Sequence, residues 1–490
     1  MATVYKIHPA IGIARLGNHP TSFFIGPEAP GSPGVELGST GIETALTAYK
    51  AGGRVKRQAA RFRVFAYDQA ADGTLELRGE VPEDARIDWT VDLVNRKAEL
   101  NRTVGPARPR NSNITDRSSL IIRNPQPVTI SGTGQAPAAV QGRFLGTQVY
   151  LGELRTDARG RLLVLGGRGS SASVPPGVAL TNFANNNRWH DDVSDGPVSA
   201  TVTLPGEAPV AVDEPAWIVV APPDFAPAIH SIVSLYDIAF QSAVDKGALT
   251  PAPRPSFVRN IQPLIERTAD MRWVDSWTEW QNMLSLNWSA LADPSPASRP
   301  LREQVAARIR NPGLARFNLP LFLRTYLSQW VAGDFVNDIA SPPPPPPVPE
   351  QLDRAALEHC SGNNFFPGIE AGQNLRDPDM YARPFRLDTA NTALVFPGCL
   401  TEIMAVPWQA DFRDCDGGVW WPAQRPDMVM TDPDDIPGSD EEWENPIQQY
   451  REMVDNVLRL GFIVARQADG QQVFVEAERD PTYLRQQQGP

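Results

Sequence analysis

Proline and glycine recur along the whole chain, and their spacing limits how long any helix can be. Proline removes a backbone donor and clashes with the preceding helical turn, while glycine weakens a helix through its conformational freedom. The 48 prolines and 37 glycines make up about a sixth of the 490 residues and form no repeat. This distribution predicts a β-rich α+β protein with many short strands and structured loops.

Charge and hydropathy exclude several classes of protein. The formal net charge is −12, which disfavours a nucleic-acid partner because phosphate binding requires a basic face. No run reaches the roughly 18 apolar residues of a membrane span, and the first residues lack the apolar core of a signal peptide. Three cysteines without a Cys-x-x-Cys pair favour a reducing, cytoplasmic location. We therefore expect a soluble protein that binds neither nucleic acid nor membrane.

The order of sequence patterns predicts four regions. Residues 1–230 contain alternating apolar runs separated by turn residues, which predicts a β-rich N-terminal domain. Residues 231–340 have mainly helical spacing, and residues 341–350 form a proline run expected to be a stiff polyproline II spacer. A helix is predicted to follow from residue 351, within a mixed C-terminal region, residues 351–490, that carries the presumed site.

Three local predictions are specific enough to test. Phe62, Val64 and Phe65 alternate with arginines, which predicts a strand with one solvated face. The arginines of the basic cluster from Arg54 to Arg63 are expected to pair with carboxylates, with an anion site as the alternative. Residues 448–461 predict an amphipathic helix with Gly461 as its C-cap. Residues 462–476 predict a hairpin that turns at Asp469-Gly470.

One segment, Pro397–Pro426, is unusually rich in reactive and aromatic side chains. It contains two of the three cysteines, three of the twelve tryptophans and several acids, among them Asp411. Tryptophan in a turn-rich segment requires burial and a partner for its N–H group. The segment is therefore a candidate site, and a rigid loop that caps a core is the alternative interpretation.

A second candidate is the loop over residues 182–198, which contains Trp189, His190, Asp191 and Asp192. Histidine and carboxylates are metal ligands, so the loop has the residue types of a metal site. Asn and Asp also build turns on their own, and no second histidine lies nearby. The spacing favours a turn, and we assign no metal ligand here.

Six long motifs occur in order along the chain and suggest a family. They are Ile7-His-Pro-Ala-Ile-Gly-Ile-Ala-Arg-Leu-Gly-Asn18, Lys56-Arg-Gln-Ala-Ala-Arg-Phe-Arg63, Trp189-His-Asp-Asp-Val-Ser-Asp-Gly-Pro197, Asn364-Phe-Phe-Pro-Gly-Ile-Glu370, Met404-Ala-Val-Pro-Trp-Gln-Ala-Asp-Phe412 and Trp420-Trp-Pro-Ala-Gln-Arg-Pro426. Together they resemble the LodA-like proteins, the group of L-lysine ε-oxidase and glycine oxidase. The resemblance spans nearly the whole chain and implies a LodA-like fold.

The resemblance also implies a chemistry. Such enzymes carry cysteine tryptophylquinone, which is made from their own Cys and Trp with help from a partner flavoprotein, and they oxidise the amine of an amino acid with release of ammonia and hydrogen peroxide. Cys415 matches the cross-linked cysteine of the family, and Asp411 matches the carboxylate that acts in cofactor formation and as a base. His190 and Asp191 are expected to line the same pocket. The family also implies a homo-oligomer.

The chain departs from the family pattern at the tryptophan half of the cofactor. The segment that matches the family's Asn-Trp-x-x-Leu-Gly-Phe pattern reads Asn456-Val-Leu-Arg-Leu-Gly-Phe462, so Val457 stands at the Trp position. Trp421, six residues after Cys415, is the alternative cross-link partner. His190 is a second departure, because the resemblance leads us to expect an aromatic residue such as tyrosine there.

Three functions follow from these observations. The first is an oxidoreductase that acts on an amino acid or an aminoacyl amine, in which Cys415 and Trp421 are the candidate pair if a quinone is formed. The second is a biosynthetic enzyme of the same fold that works with a metal ion or with no cofactor. The third is a silent binding or scaffold protein. The retained pair of Asp411 and Cys415 argues against silence, although a buried free cysteine is often only a small apolar side chain.

Overall fold

The structure, a computed structural model, describes residues 2–38, 41–105, 107–275, 286–310, 319–362, 371–414, 423–432 and 441–482. Within these residues the chain starts with strands, continues with helices and ends in a mixed region. The α+β class predicted from proline and glycine is confirmed. None of the described helices is long and apolar enough to cross a membrane.

The N-terminal region is built of strands. Seventeen of the described strands are hydrogen-bonded into one sheet, from which β6, β7, β17 and β18 are separate. In chain order the strands are β1 (Ala2–His8), β2 (Ile11–Arg15), β3 (Phe23–Ile25), β4 (Val35–Leu37), β5 (Glu43–Ala45), β6 (Lys50–Ala51), β7 (Arg54–Val55), β8 (Arg57–Gln69), β9 (Leu75–Glu80), β10 (Arg86–Val91), β11 (Val94–Asn95), β12 (Ile122–Arg123), β13 (Val128–Ser131), β14 (Ala138–Phe144), β15 (Thr147–Thr156), β16 (Leu162–Gly166), β17 (Ala172–Ser173), β18 (Trp189–His190), β19 (Ser194–Thr203), β20 (Val210–Ala211) and β21 (Ala216–Ala221).

Two long strands organise this sheet. β8 pairs with β1, β9 and β16 in antiparallel register and with β3 in parallel register. β19 pairs antiparallel with β10 and β21, and β21 runs parallel to β2. The short link between β18 and β19, residues 191–193, is buried.

The arginines of β8 pair with carboxylates, as predicted. Arg57 is fully buried and lies 3.3 Å from Glu153. Arg61 and Arg63 both donate to Glu28. A buried guanidinium requires such pairing because its charge cannot be neutralised by deprotonation.

Helices follow the sheet in the described part of the chain. They are α1 (Leu235–Asp245), α2 (Gln262–Asp270), α3 (Trp288–Leu291), α4 (Arg299–Ile309), α5 (Leu321–Ala332), α6 (Val348–Glu358), α7 (Trp408–Asp414) and α8 (Tyr450–Asn456). The predicted start of α6 at residue 351 is wrong, because the helix begins at Val348 inside the proline run. Proline at the first helical turn is tolerated, since the missing N–H group has no partner there anyway.

The C-terminal region adds short strand pairs, namely β22 (Tyr381–Arg383), β23 (Arg386–Leu387), β24 (Met428–Val429), β25 (Glu441–Glu442), β26 (Phe462–Ala468) and β27 (Gln471–Ala477). The predicted hairpin is confirmed by the pairing of β26 with β27. Asp469 and Gly470 both have positive φ, of 48° and 76°, as the tight hairpin turn requires.

The predicted C-cap at Gly461 is wrong. α8 ends at Asn456, and a 3₁₀ turn, Val457–Arg459, follows it. A Cβ atom at Gly461 would lie 2.4 Å from Cγ of Glu476. Close packing against β27, rather than a helix end, therefore explains the glycine.

Candidate functional site

The candidate site is centred on α7 (Trp408–Asp414), which carries Asp411. Residues 408–412 of this short helix are all buried, and Asp411 is 3 % exposed. Cys415 and Trp421, the other two predicted residues in this segment, lie outside the described residues. Asp411 is thus on the last helical turns before the segment that contains them.

Asp191 supports the start of α7. Its Oδ2 atom accepts a hydrogen bond from the backbone N–H of Trp408 at 3.1 Å and another from Nζ of Lys97 at 2.7 Å. Its Oδ1 atom accepts from the side-chain amide of Asn95 at 3.0 Å. The described contacts of Asp191 therefore anchor the helix to the N-terminal sheet.

Lys97 was not predicted from the sequence, yet it forms the only described ion pair of Asp191. Both side chains are completely buried. Burial lowers the pKa of Lys97, and the neighbouring Asp191 carboxylate acts in the opposite direction. A buried pair of this kind requires both partners, because either charge alone would be uncompensated.

Asp192 adds a second support through a turn. Its Oδ2 atom accepts from the backbone N–H groups of Arg168 and Ser170 at 2.6 and 3.0 Å. Between them, the carbonyl of Gly169 accepts from the side-chain amide of Gln409 on α7 at 3.2 Å. Burial raises the pKa of Asp192 to about 7. Asp191 therefore holds the first residue of α7, Trp408, and the turn at Gly169 that Asp192 supports holds the second, Gln409.

The His190 side chain lies on the face of β18 opposite to that of Trp189. Consecutive strand residues point to opposite faces, and the Trp189 ring lies under the guanidinium of Arg451 on α8, at 5.9 Å. The His190 ring instead packs on Phe144 of β14 at 5.1 Å. Neither ring nitrogen has a hydrogen-bond partner among the described residues, and burial lowers the pKa of His190. The described ring contact of His190 is thus with the sheet and not with α7.

The far end of α7 is held by Arg425, which the sequence reading did not single out. Its Nε donates to the carbonyl of Phe412 at 2.7 Å, and its Nη1 donates to Asp427 at 2.7 Å. Glu444 accepts from Nη2 of the same guanidinium. Arg425 belongs to the Trp420–Pro426 motif, so the signal was present in the sequence.

The position that the resemblance gives to the cofactor tryptophan lies close to α7. Val457 is fully buried and directly follows α8, which packs against α7. The Tyr450 hydroxyl of α8 donates to Asp414 of α7 at 2.8 Å. A valine has no indole, so the described residues do not fit a quinone at this position.

Metal ligands are not gathered at any described position. Among the residues that the structure describes, no group of three or more His, Cys, Asp or Glu side chains is arranged to hold a metal ion. Cys360 and Cys399 are buried and form no disulfide among the described residues, and burial raises the pKa of the Cys399 thiol. These two thiols therefore have the surroundings of structural cysteines.

Two family profiles match the chain. The profile described as "L-Lysine epsilon oxidase N-terminal" matches residues 8–220, and that described as "L-lysine epsilon oxidase C-terminal domain" matches residues 312–432. This chain belongs to the LodA-like family. The family is one of amino-acid oxidases, and the resemblance seen in the six motifs is confirmed.

Individual proteins of the LodA-like family are also similar to this chain in sequence and in fold. The chain is 28 % identical to L-lysine 6-oxidase of Marinomonas mediterranea, an alignment that covers 84 % of this chain and 71 % of that protein. A structure of the ε-lysine oxidase of the same organism has a TM-score of 0.80 at 23 % identity and covers 97 % of this chain and 95 % of that one. A structure of its Schiff base intermediate with L-Lys has a TM-score of 0.78 at 24 % identity, with the same coverage. At these identities the two structures establish the fold.

Proposed function

We propose that this chain is an oxidoreductase that acts on an amino acid or an aminoacyl amine, with Asp411 as the base. The observation that carries the proposal is the position of Asp411 on a buried helix that is fixed at both ends. Asp191 holds the first residue of that helix, and Arg425 holds the carbonyl of Phe412. A base must be held at a fixed distance from the proton it removes, and this double support provides that.

The reaction we propose is oxidative deamination. Loss of the carbon-bound proton, of one N–H proton and of two electrons converts the amine to an imine. Water then hydrolyses the imine to ammonia and a carbonyl product, and oxygen takes up the two electrons and two protons to give hydrogen peroxide. The role of Asp411 is to accept the carbon-bound proton, a transfer that typically contributes a rate factor of about 10²–10⁴.

The redox group of this reaction cannot be a quinone at the family position, because Val457 supplies no indole. Cys415 and Trp421 remain the proposed pair for such a cofactor, whose formation would require a maturation flavoprotein. Intact-mass measurement tests the pair, because the cross-linked quinone adds two oxygens and removes four hydrogens. An unmodified mass would exclude the quinone.

Activity is tested by hydrogen peroxide release from a panel of amino acids and peptides with free amines. We expect Asp411→Asn to lower the rate by a factor of about 10²–10⁴ while the protein stays folded. Asp414→Asn is the matched control, because Asp414 is exposed at the end of the same helix. Equal rates in the two variants would contradict the role of Asp411.

Val457 favours one further candidate, an enzyme of the same fold that works without the quinone. This version predicts substrate conversion by a protein of unmodified mass. Its metal-dependent form is tested by metal analysis of protein purified without chelators. A protein that binds amines but converts none would instead be the silent paralogue.

Size measurement in solution tests the homo-oligomer that the resemblance implies.

A further inference from the structure

Two adjoining cavities lie apart from α7, between the loop around Gly31, α2 and α6. The inner cavity has a volume of about 260 Å³, and the outer cavity has about 320 Å³. Gly31, Ala228 and His230 line both of them, so His230 stands where they meet. Their combined size is in the range of small-molecule sites, roughly 300–1,000 Å³.

The arginines of the outer cavity are already neutralised by their own partners. Nε of Arg354 lies 2.6 Å from Glu358 one helical turn away. Nη1 of Arg267 lies 2.8 Å from Asp237 on α1. Neither guanidinium is therefore available as the main binding group for an anion.

Two carboxylates of the same cavity have no such partner. Glu266 accepts a hydrogen bond from the side-chain amide of Gln262 at 2.8 Å, and Asp270 lines the same wall. Neither forms an ion pair within the part of the chain that the structure describes. Burial raises the pKa of Asp270 to about 6, and Arg272 nearby acts in the opposite direction. Near neutral pH the Asp270 carboxyl is ionised, and a bound cation would offset its partial desolvation.

The inner cavity contributes two imidazoles. The rings of His230 and His359 lie 4.2 Å apart at 65°. Nε2 of His359 is shielded from solvent and has no hydrogen-bond partner among the described residues. Burial lowers the pKa of His230 to about 4 and that of His359 well below its usual value. Neutral imidazoles can accept an N–H donor, and they do not repel a cation.

A short chain of contacts connects the inner cavity with α7. Asp224 lines this cavity, and the next residue, Phe225, donates its backbone N–H to the carbonyl of Gln424 at 2.9 Å. The Phe225 ring lies 6.2 Å from that of Phe412, which directly follows Asp411. Asp224 and Phe225 therefore join the wall of the inner cavity to the packing around α7.

We infer that the two cavities form a binding cleft for a primary ammonium group, with Glu266 and Asp270 as its anionic wall and His230 and His359 as hydrogen-bond acceptors. The inference rests on the proposed function, because the ammonium group would belong to the amine substrate of that reaction. An anion is disfavoured because both arginines are paired. A metal ion is disfavoured because no described group of three ligands has suitable geometry.

The probe is n-butylammonium chloride, with 1-butanol as its uncharged analogue, in titrations of the full-length protein followed by ligand-observed NMR near neutral pH. We expect butylammonium to bind and 1-butanol to bind at least tenfold more weakly. The double variant Glu266→Gln/Asp270→Asn should weaken butylammonium binding at least tenfold. Glu303→Gln on α4, an exposed acid in a helix-surface pair, is the matched control and should leave it unchanged.

Equal binding of butylammonium by the wild type and the double variant would overturn the cleft, as would equal binding of butylammonium and 1-butanol. A His359→Phe variant adds a test of the inner cavity and should weaken the same probe. Peroxide release separates this inference from the proposed function. A wild type that binds butylammonium but oxidises no amine contradicts the function and keeps the cleft. If the double variant binds butylammonium and oxidises amines as well as the wild type does, the cleft is contradicted and the proposed function is kept.

Discussion

Asp191 accepts a hydrogen bond at 3.1 Å from the backbone N–H of Trp408, the first residue of α7. The same oxygen accepts from Lys97 at 2.7 Å, and the Lys97 and Asp191 side chains are both fully buried. A single carboxylate thus joins the N-terminal sheet to the helix that carries Asp411. The position of the proposed base therefore depends on the buried ion pair between Lys97 and Asp191.

Lys97→Met should therefore destabilise the protein strongly. The substitution leaves the Asp191 charge buried without a cation, which costs about 3–5 kcal/mol of unfolding free energy. Urea denaturation measures this loss. Adding Asp191→Asn should recover part of it, since the amide keeps an acceptor oxygen for Trp408 and removes the charge.

An exposed ion pair provides the control for Lys97. Arg86 pairs with Asp88 at 2.9 Å, and the Arg86 side chain is 67 % exposed. Arg86→Met should change the unfolding free energy by less than about 1 kcal/mol. If Lys97→Met were equally mild, the buried pair would not hold α7 in place.

Local patterns in the sequence predicted local structure well. The hairpin at Asp469-Gly470 follows from turn chemistry within a few residues. The pairing of Arg61 with carboxylates follows from the cost of burying a guanidinium. Gly461 was misread as a helix end, because its cause is a contact with Glu476 on another strand. No pattern around Gly461 itself records that contact.

The sequence indicated some residues of the candidate site but not the contacts between distant segments that hold them together. The motifs led to Asp411 and Asp191 because the family resemblance marks both segments. The link between them could not be predicted, since Lys97 lies far from either segment in the sequence. His190 was grouped with Asp191 because they are adjacent, yet strand alternation turns its ring towards Phe144.

Asp192→Asn should change how stability depends on pH. The native pKa of Asp192 is about 7, above its usual value of 3.8, so the native state keeps a proton that the unfolded state loses. Its contribution to stability is therefore complete below about pH 4 and is lost as the pH rises through about 7. Asn keeps the acceptor for Arg168 and Ser170 and carries no charge.

Thermal unfolding of this variant and of the wild type near pH 5 and near pH 8 tests the sign. We expect the Asn variant to have a higher Tm than the wild type near pH 8 and about the same Tm near pH 5. A difference in Tm that is the same at both pH values would show that Asp192 does not titrate in this range.

Gly196→Ala should disrupt the strand that follows the Asp191 loop. A Cβ atom at Gly196 would lie 1.8 Å from the backbone carbonyl oxygen of Asp92, and a backbone atom cannot move away as a flexible side chain can. The expected cost is at least about 1–3 kcal/mol, measured by denaturant unfolding. This close approach explains the glycine in the Asp195-Gly-Pro197 motif.

Gly206→Ala is the comparison for that clash. Gly206 has φ of +79° with nothing within 4 Å of an added Cβ, so alanine there meets only the left-handed backbone penalty, about 1–2 kcal/mol. Gly196→Ala should be the more damaging of the two. The reverse order would mean that β19 shifts away from Asp92 at little cost.

Val457→Trp tests whether this chain has room for the indole that the family resemblance implies at this position. Val457 is fully buried in the main core cluster, so the larger ring should overpack it and cost about 1–3 kcal/mol. Ala465→Trp on the exposed side of β26 adds the same ring at the surface and should cost less than about 0.5 kcal/mol. Both Tm and intact mass are measured. A Val457→Trp protein with an unchanged Tm and the mass of a cross-linked quinone would mean that the core keeps the space for the cofactor, and that valine alone prevents its formation.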